Sequence, residues 1–141
     1  MREILFRGKT DKGEWVQGQL LHFKASVGTE KFALIVEGCE WDNSTEWFNL
    51  GKRAKVIPST IGQYTGLTDK NGAKVFEGDI VKSFYKDGFE IGLIGWSNID
   101  FRYKFASPDG MAYGFDVTDV FEVVGNVHDN PELLKSEVQG E

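Results

Sequence analysis

The chemistry available to this chain lies in a few groups of charged and aromatic side chains. Glu37, Glu40, Asp42 and Glu46 crowd around Trp41 and Trp47. Four carboxylates so close in sequence could hold a cation only if their oxygens converged at short range. The stretch lacks the ordered oxygen spacing and central glycine turn of a calcium loop. A solvated acidic loop from Cys39 to Thr45 is the simpler expectation. Trp41 and Trp47 then stand out, either as core plugs or as anchors for a partner, because Trp is enriched at binding hot spots.

A second group is basic. Phe101-Arg102-Tyr103-Lys104-Phe105 alternates strictly, which in a strand puts Phe101, Tyr103 and Phe105 on one face and Arg102 and Lys104 on the other. Aromatic side chains stack bases and cations hold phosphates, so Lys82, Lys86, Arg102 and Lys104 form a candidate nucleic-acid surface. The two sets point in opposite directions, however, and that favours one core face and one solvated face.

Catalytic patterns are missing. Cys39 is the only cysteine, which excludes an intrachain disulfide and a thiol-rich metal site and suits a reducing compartment. His22 and His128 sit in no ligand-spaced motif. No phosphate loop, dinucleotide fingerprint, serine elbow or metal-binding His-Glu pattern occurs. Asp79 could serve as a general base, but with no nucleophile or histidine in its motif, turn capping is the stronger reading. The sequence thus points to no enzyme, no metal and no cofactor.

The densest punctuation runs from Ile57 to Val81. Pro58 fixes its own backbone and pushes Ile57 toward an extended shape. Gly62 and Gly66 flank Gln63 and Tyr64, an arrangement that could frame a pocket or allow a tight crossover between two lobes. The crossover is favoured, since no titratable pair accompanies the loop. Asp69-Lys70-Asn71-Gly72 is a strong turn, and Gly78-Asp79 is a second one feeding Ile80 and Val81.

Eleven Phe, four Trp, four Tyr and seventeen Gly in 141 residues, against three Pro, mark a mainly β chain long enough to bury a core. Strands are expected at 3–7, 14–21, 31–36, 46–49 and 53–57. In the second half they fall at 79–84, 89–96, 101–107, 111–115 and 117–124. Hairpin turns are expected at Asp11-Lys12-Gly13, Lys86-Asp87-Gly88 and Asp109-Gly110. The close spacing in the second half suggests a small antiparallel barrel. One short helix is expected over 129–138, with Asn130 as N-cap and Pro131 in its first position. The body, residues 1–128, carries fifteen basic and eighteen acidic side chains, so it lacks the overall positive field that drives non-specific phosphate binding. The tail beyond it is acidic. The N-terminus has no signal-peptide pattern, and the longest apolar run, Phe32–Val36, is too short to span a bilayer. A cytoplasmic protein with no membrane association is therefore expected.

Several of these segments together resemble the YopX family. Phe6-Arg7-Gly8-Lys9 and Gly13-Glu14-Trp15-Val16-Gln17-Gly18 are similar to its opening hairpin. The stretch from Val56 to Val81 is similar to its central signature, and Glu122 to Leu134 to its closing strand, turn and helix. Cys39 to Asn49 and the aromatic run near Phe101 match no family pattern. The resemblance implies a single domain over 1–141, with an N-terminal β lobe (1–60), an SH3-like barrel (74–128) and a short helix with an acidic tail (129–141). It also implies an origin on a phage or integrated prophage, and it brings no catalytic residues. The expected role is a non-enzymatic accessory protein in the bacterial cytoplasm. It would act through protein contacts, with itself or with another phage or host protein, as a homo-oligomer. The alternative is a nucleic-acid-binding module using the second-half barrel.

Overall fold

Turn chemistry cuts the chain into short antiparallel strands. The computed structural model describes residues 2–114 and 120–139. Residues 115–119, which take in the end of one expected strand and the start of the next, lie outside the described residues, as does the end of the acidic tail. The chain divides into two compact units, Met1–Gln63 and Tyr64–Glu141.

The first unit holds β1 (Phe6–Lys9), β2 (Trp15–Lys24), β3 (Lys31–Asp42), β4 (Trp47–Val56) and the start of β5 (Gly62–Thr68). The β1–β2 hairpin closes through Thr10, whose Oγ1 accepts the Glu14 N–H and whose carbonyl accepts the Gly13 N–H. β2 then changes partners. Its first half pairs with β1 from Trp15 to Gly18, and its second half pairs with β3 from Gln19 to Lys24. Gly18 marks the change, because a Cβ there would lie 2.2 Å from the Val36 carbonyl oxygen. Only glycine permits that approach. Bent in this way, the strands enclose a core of Ala33, Ile35 and Val56, joined by Phe6, Val16, Leu20 and Ile61. A short 3-10 turn, Pro58–Thr60, is tied to β1 by Thr60 Oγ1, which accepts the Lys9 N–H.

The second unit holds the rest of β5, β6 (Lys74–Phe76), β7 (Asp79–Tyr85), β8 (Gly88–Ser97), β9 (Arg102–Ala106), β10 (Ala112–Gly114), β11 (Phe121–Asn126) and α1 (Glu132–Gln139). Five strands form a sheet in the order β10-β9-β8-β7-β11. Val75, Val81, Ile94, Phe105 and Phe121 form its core, and the Phe105 ring lies so close over Gly92 that a Cβ there would meet it at 2.5 Å. The mainly β class and the short C-terminal helix are as expected. The barrel is not: among the described residues the sheet stays open, with β10 and β11 as edges.

Two local expectations also change. Cys39 to Asp42 is strand rather than loop, because β3 and β4 keep pairing out to Asp42 opposite Trp47. The two short strands expected at 46–57 are the single strand β4 for the same reason. Asn130, the expected N-cap, accepts the Asn126 N–H through its Oδ1 and the Leu133 N–H through its carbonyl, tying the end of β11 to the start of α1.

One carboxylate organises the second unit. Asp69 is 7% exposed. Its Oδ1 accepts the N–H groups of Asn71 (2.8 Å) and Ala73 (2.9 Å), and its Oδ2 accepts that of Val123 (2.9 Å) in β11. Burial alone would raise the Asp69 carboxyl, but the N–H groups of Val123, Ala73 and Asn71, with Lys70 nearby, hold it below its ordinary value. Asp69→Ala strands three backbone donors and is expected to cost about 2–3 kcal/mol, read as a lower urea midpoint. Because the folded value is depressed, this contribution is complete above the unfolded carboxylate value of about 3.9 and is lost as pH falls through the folded one. The gap between wild type and variant should therefore narrow below about pH 4. Equal midpoints at neutral pH would contradict the latch.

Candidate interaction surface

β3 and β4 outrun the sheet that carries them. β2 stops pairing with β3 at Val36, whereas β3 pairs with β4 for six more residues. From Glu37 to Lys52 the chain is thus a two-stranded ribbon. At its base Gly38 (φ +88°) lies level with Gly51, where a Cβ would sit 2.5 Å from the Glu37 carbonyl oxygen. A left-handed residue facing a second glycine lets the ribbon leave the sheet at an angle of its own.

Both sequence-predicted tryptophans lie at the ribbon's tip, on opposite faces by strand alternation. Trp41 lies opposite Phe48, and Trp47 opposite Asp42. The Trp47 and Phe48 rings stack with centroids 5.6 Å apart. All three aromatics face solvent, with Trp41 60%, Trp47 65% and Phe48 47% exposed. They are not core plugs. The end turn is fixed by Asp42 Oδ1, which accepts both the N–H and the hydroxyl of Ser44. The Ser44 hydroxyl and N–H hold the Asp42 carboxyl below its ordinary value. The acids do not converge on a cation site. Glu37 pairs across the ribbon with Lys52 and Glu40 with Asn49. Among the described residues no three potential ligands gather.

At the other end of β3 lies a cleft of about 420 Å³. His22, Phe23, Lys24, Lys31, Phe32, Ala33 and Pro58 line it. The Phe23 and Phe32 rings stack at 5.5 Å. The sequence reading missed this cleft and the tip residue Phe48. The symmetric placing of Phe23-Lys24 and Lys31-Phe32 about the loop between them was the available signal.

Three of the basic set share one face of the sheet, because Lys82, Lys104 and Arg102 lie opposite Ile91, Gly95 and Ser97, which point to the same side of β8. Lys82 Nζ lies 3.9 Å from the Phe89 ring centroid, and Lys86 is exposed in the β7–β8 turn. Lys104 pairs with Asp100, and the Arg102 guanidinium lies across Gly114, filling the space a side chain would need. Lys82 lies opposite Ile91 and Lys104 opposite Gly95, about 13 Å apart along β8. Phe101 leaves the expected aromatic face. It is a turn residue with φ +53° and is 77% exposed, so the strand begins only at Arg102.

The signature residues occupy pairing and turn positions. In the first unit Gly62 pairs with Arg7 and Gln63 with Phe6. In the second, Tyr64 is buried with its ring 5.6 Å from that of Phe76. Gly66 (φ +92°) takes up the register shift between Tyr64 and Thr68, the left-handed position a bulge requires. Gly78 donates to the Ile94 carbonyl and accepts from the Val127 N–H. Asp79 Oδ2 accepts the Phe76 N–H at 2.8 Å across that same turn.

A family model described as YopX protein matches residues 5–135. The crystal structure of protein EF1440 from Enterococcus faecalis is similar in fold. Its TM-score is 0.59 at 22% identity, over 95% of this chain and 99% of that one. No curated protein matches the sequence.

Because the tip aromatics face water, Trp41→Ser, Trp47→Ser and Phe48→Ser together should move the unfolding free energy by no more than about 1 kcal/mol. Circular dichroism during urea titration checks this. A loss of several kcal/mol would place the tip in a core.

Proposed function

Because the chain belongs to the YopX family, we propose that it is a non-enzymatic accessory protein of a phage or integrated prophage. It works through protein–protein contacts, as a homo-oligomer, in the cytoplasm of the bacterial host. The observation that carries this reading is the ribbon tip, where Trp41 is exposed beside a stacked and exposed pair, Trp47 and Phe48. Grouped aromatics on a soluble surface mark contact sites. A two-stranded ribbon is also only marginally stable by itself, so a partner on its tip supplies the packing it lacks.

The charge pattern supports protein over nucleic acid. The unit holding Lys82, Lys86, Arg102 and Lys104 has seven basic against fourteen acidic side chains, a field that repels phosphate.

Cys39, the only cysteine, is exposed on the ribbon and offers a direct test. A photo-crosslinker attached there should join the protein to a defined protein, another copy included, in extracts of the bacterium that carries the gene. The product should vanish in the variant combining Trp41→Ser and Trp47→Ser. Crosslinking to no protein, or to the same proteins with the tip removed, would refute the reading.

A further inference from the structure

We propose that the ribbon tip of one copy seats in the β2–β3 cleft of a second copy, reciprocally about a twofold axis. This rests on the reading that the protein works through protein contacts. It names the partner as the chain itself and assigns both halves of the contact.

The two surfaces are chemically complementary. From Cys39 to Leu50 the tip carries Glu40, Asp42 and Glu46 and no basic residue, beside three exposed aromatics. The cleft is lined by Ala33 and Pro58 together with two cations, Lys24 and Lys31, which lie on one face of the β2–β3 pair, and by Phe23 and Phe32 between them in the strands. Those lysines lie directly opposite each other across the β2–β3 pair. Like charges opposite one another in a sheet repel, so the place is unfavourable until an anion arrives. Neither lysine has a carboxylate partner among the described residues. Lys55, the nearby cation, is already engaged: it bonds Glu30 at 2.8 Å and lies over the Phe32 ring.

Geometry excludes the tip of the same chain. Lys31 at the cleft and Asp42 at the tip are the two ends of β3, a twelve-residue extended strand. Such a strand holds its ends about 35–40 Å apart. A second copy meets no such barrier. Two identical hairpins laid antiparallel put each tip at the other's cleft, so both contacts form together, as an isologous dimer requires. β4 is the edge of its sheet and leaves that side open. Lys52, Arg53 and Lys55 along β4 oppose continuous strand addition. The ends, rather than the middle, hold the pair.

Sedimentation equilibrium with a charge exchange tests the assignment. Wild type should form a dimer. Glu40→Lys with Glu46→Lys should weaken the dimer at least tenfold, and so should Lys24→Glu with Lys31→Glu. Neither pair should alter the circular dichroism spectrum. An equimolar mixture of the two folded variants should restore dimers, because each tip then meets a cleft of opposite sign. A monomeric wild type, an assembly larger than two, variants that still dimerise, or a mixture that stays monomeric would each overturn the inference. If wild type is monomeric while Cys39 still crosslinks to a different protein, the self-docking and the homo-oligomer both fail, and only the reading of the tip as a protein-contact surface stands. If neither association occurs, both fail.

Discussion

The closeness of Gly18 to Val36 governs the first half of this molecule. A backbone that passes this near a carbonyl leaves no room for any side chain, so β2 can bend there and hand its pairing from β1 to β3. The bend wraps the strands around the Ala33, Ile35 and Val56 core. It also ends the support for β3 at Val36, leaving β3 and β4 to continue as a pair. The exposed ribbon is thus a consequence of how the core is made. Its acidic, aromatic tip and the cation-lined cleft at its root are the two ends of one strand.

The second unit solves a different problem. Its sheet is open, with β10 and β11 as edges, so closure cannot hold it together. Asp69 closes the β5–β6 turn with two charge-assisted hydrogen bonds and joins it to β11 with a third, at the place where β11 shifts register between Val123 and Gly125. Gly78 and Asp79 do the same for the β6–β7 turn, one through its backbone and the other through its carboxylate. A buried carboxylate bonded to several backbone donors is held ionised and in place.

How much the sequence disclosed follows from how local each cause is. The turns at Asp11–Gly13, Asp69–Gly72, Lys86–Gly88 and Asp109–Gly110 were legible, because Asn, Asp and Gly determine them within a few residues. The β class and the helix after Pro131 were legible for similar reasons. The ribbon was not. A strand exposed on both faces loses the apolar alternation that signals a strand, so Cys39–Asp42 looked like an acidic loop. The turn geometry of Phe101 was hidden because a non-glycine residue with positive φ leaves no compositional mark. Trp41 and Trp47 were visible as residues, but only the pairing register puts Trp41 opposite Phe48. Lys24 and Lys31 drew no notice, since their opposition arises from the β2–β3 register. The long-range bond from Asp69 to Val123 had no sequence signal beyond the turn itself.

The central claim is that the ribbon tip is a contact surface covered in the working state of the protein. Hydrogen exchange measured at low and high protein concentration tests it most directly. The account requires protection to rise with concentration at Cys39–Leu50 and, in step, around Lys24–Phe32, while the Asp69 turn stays unchanged. Ribbon exchange that is the same at every concentration, with or without extract from the cells that carry the gene, would contradict it.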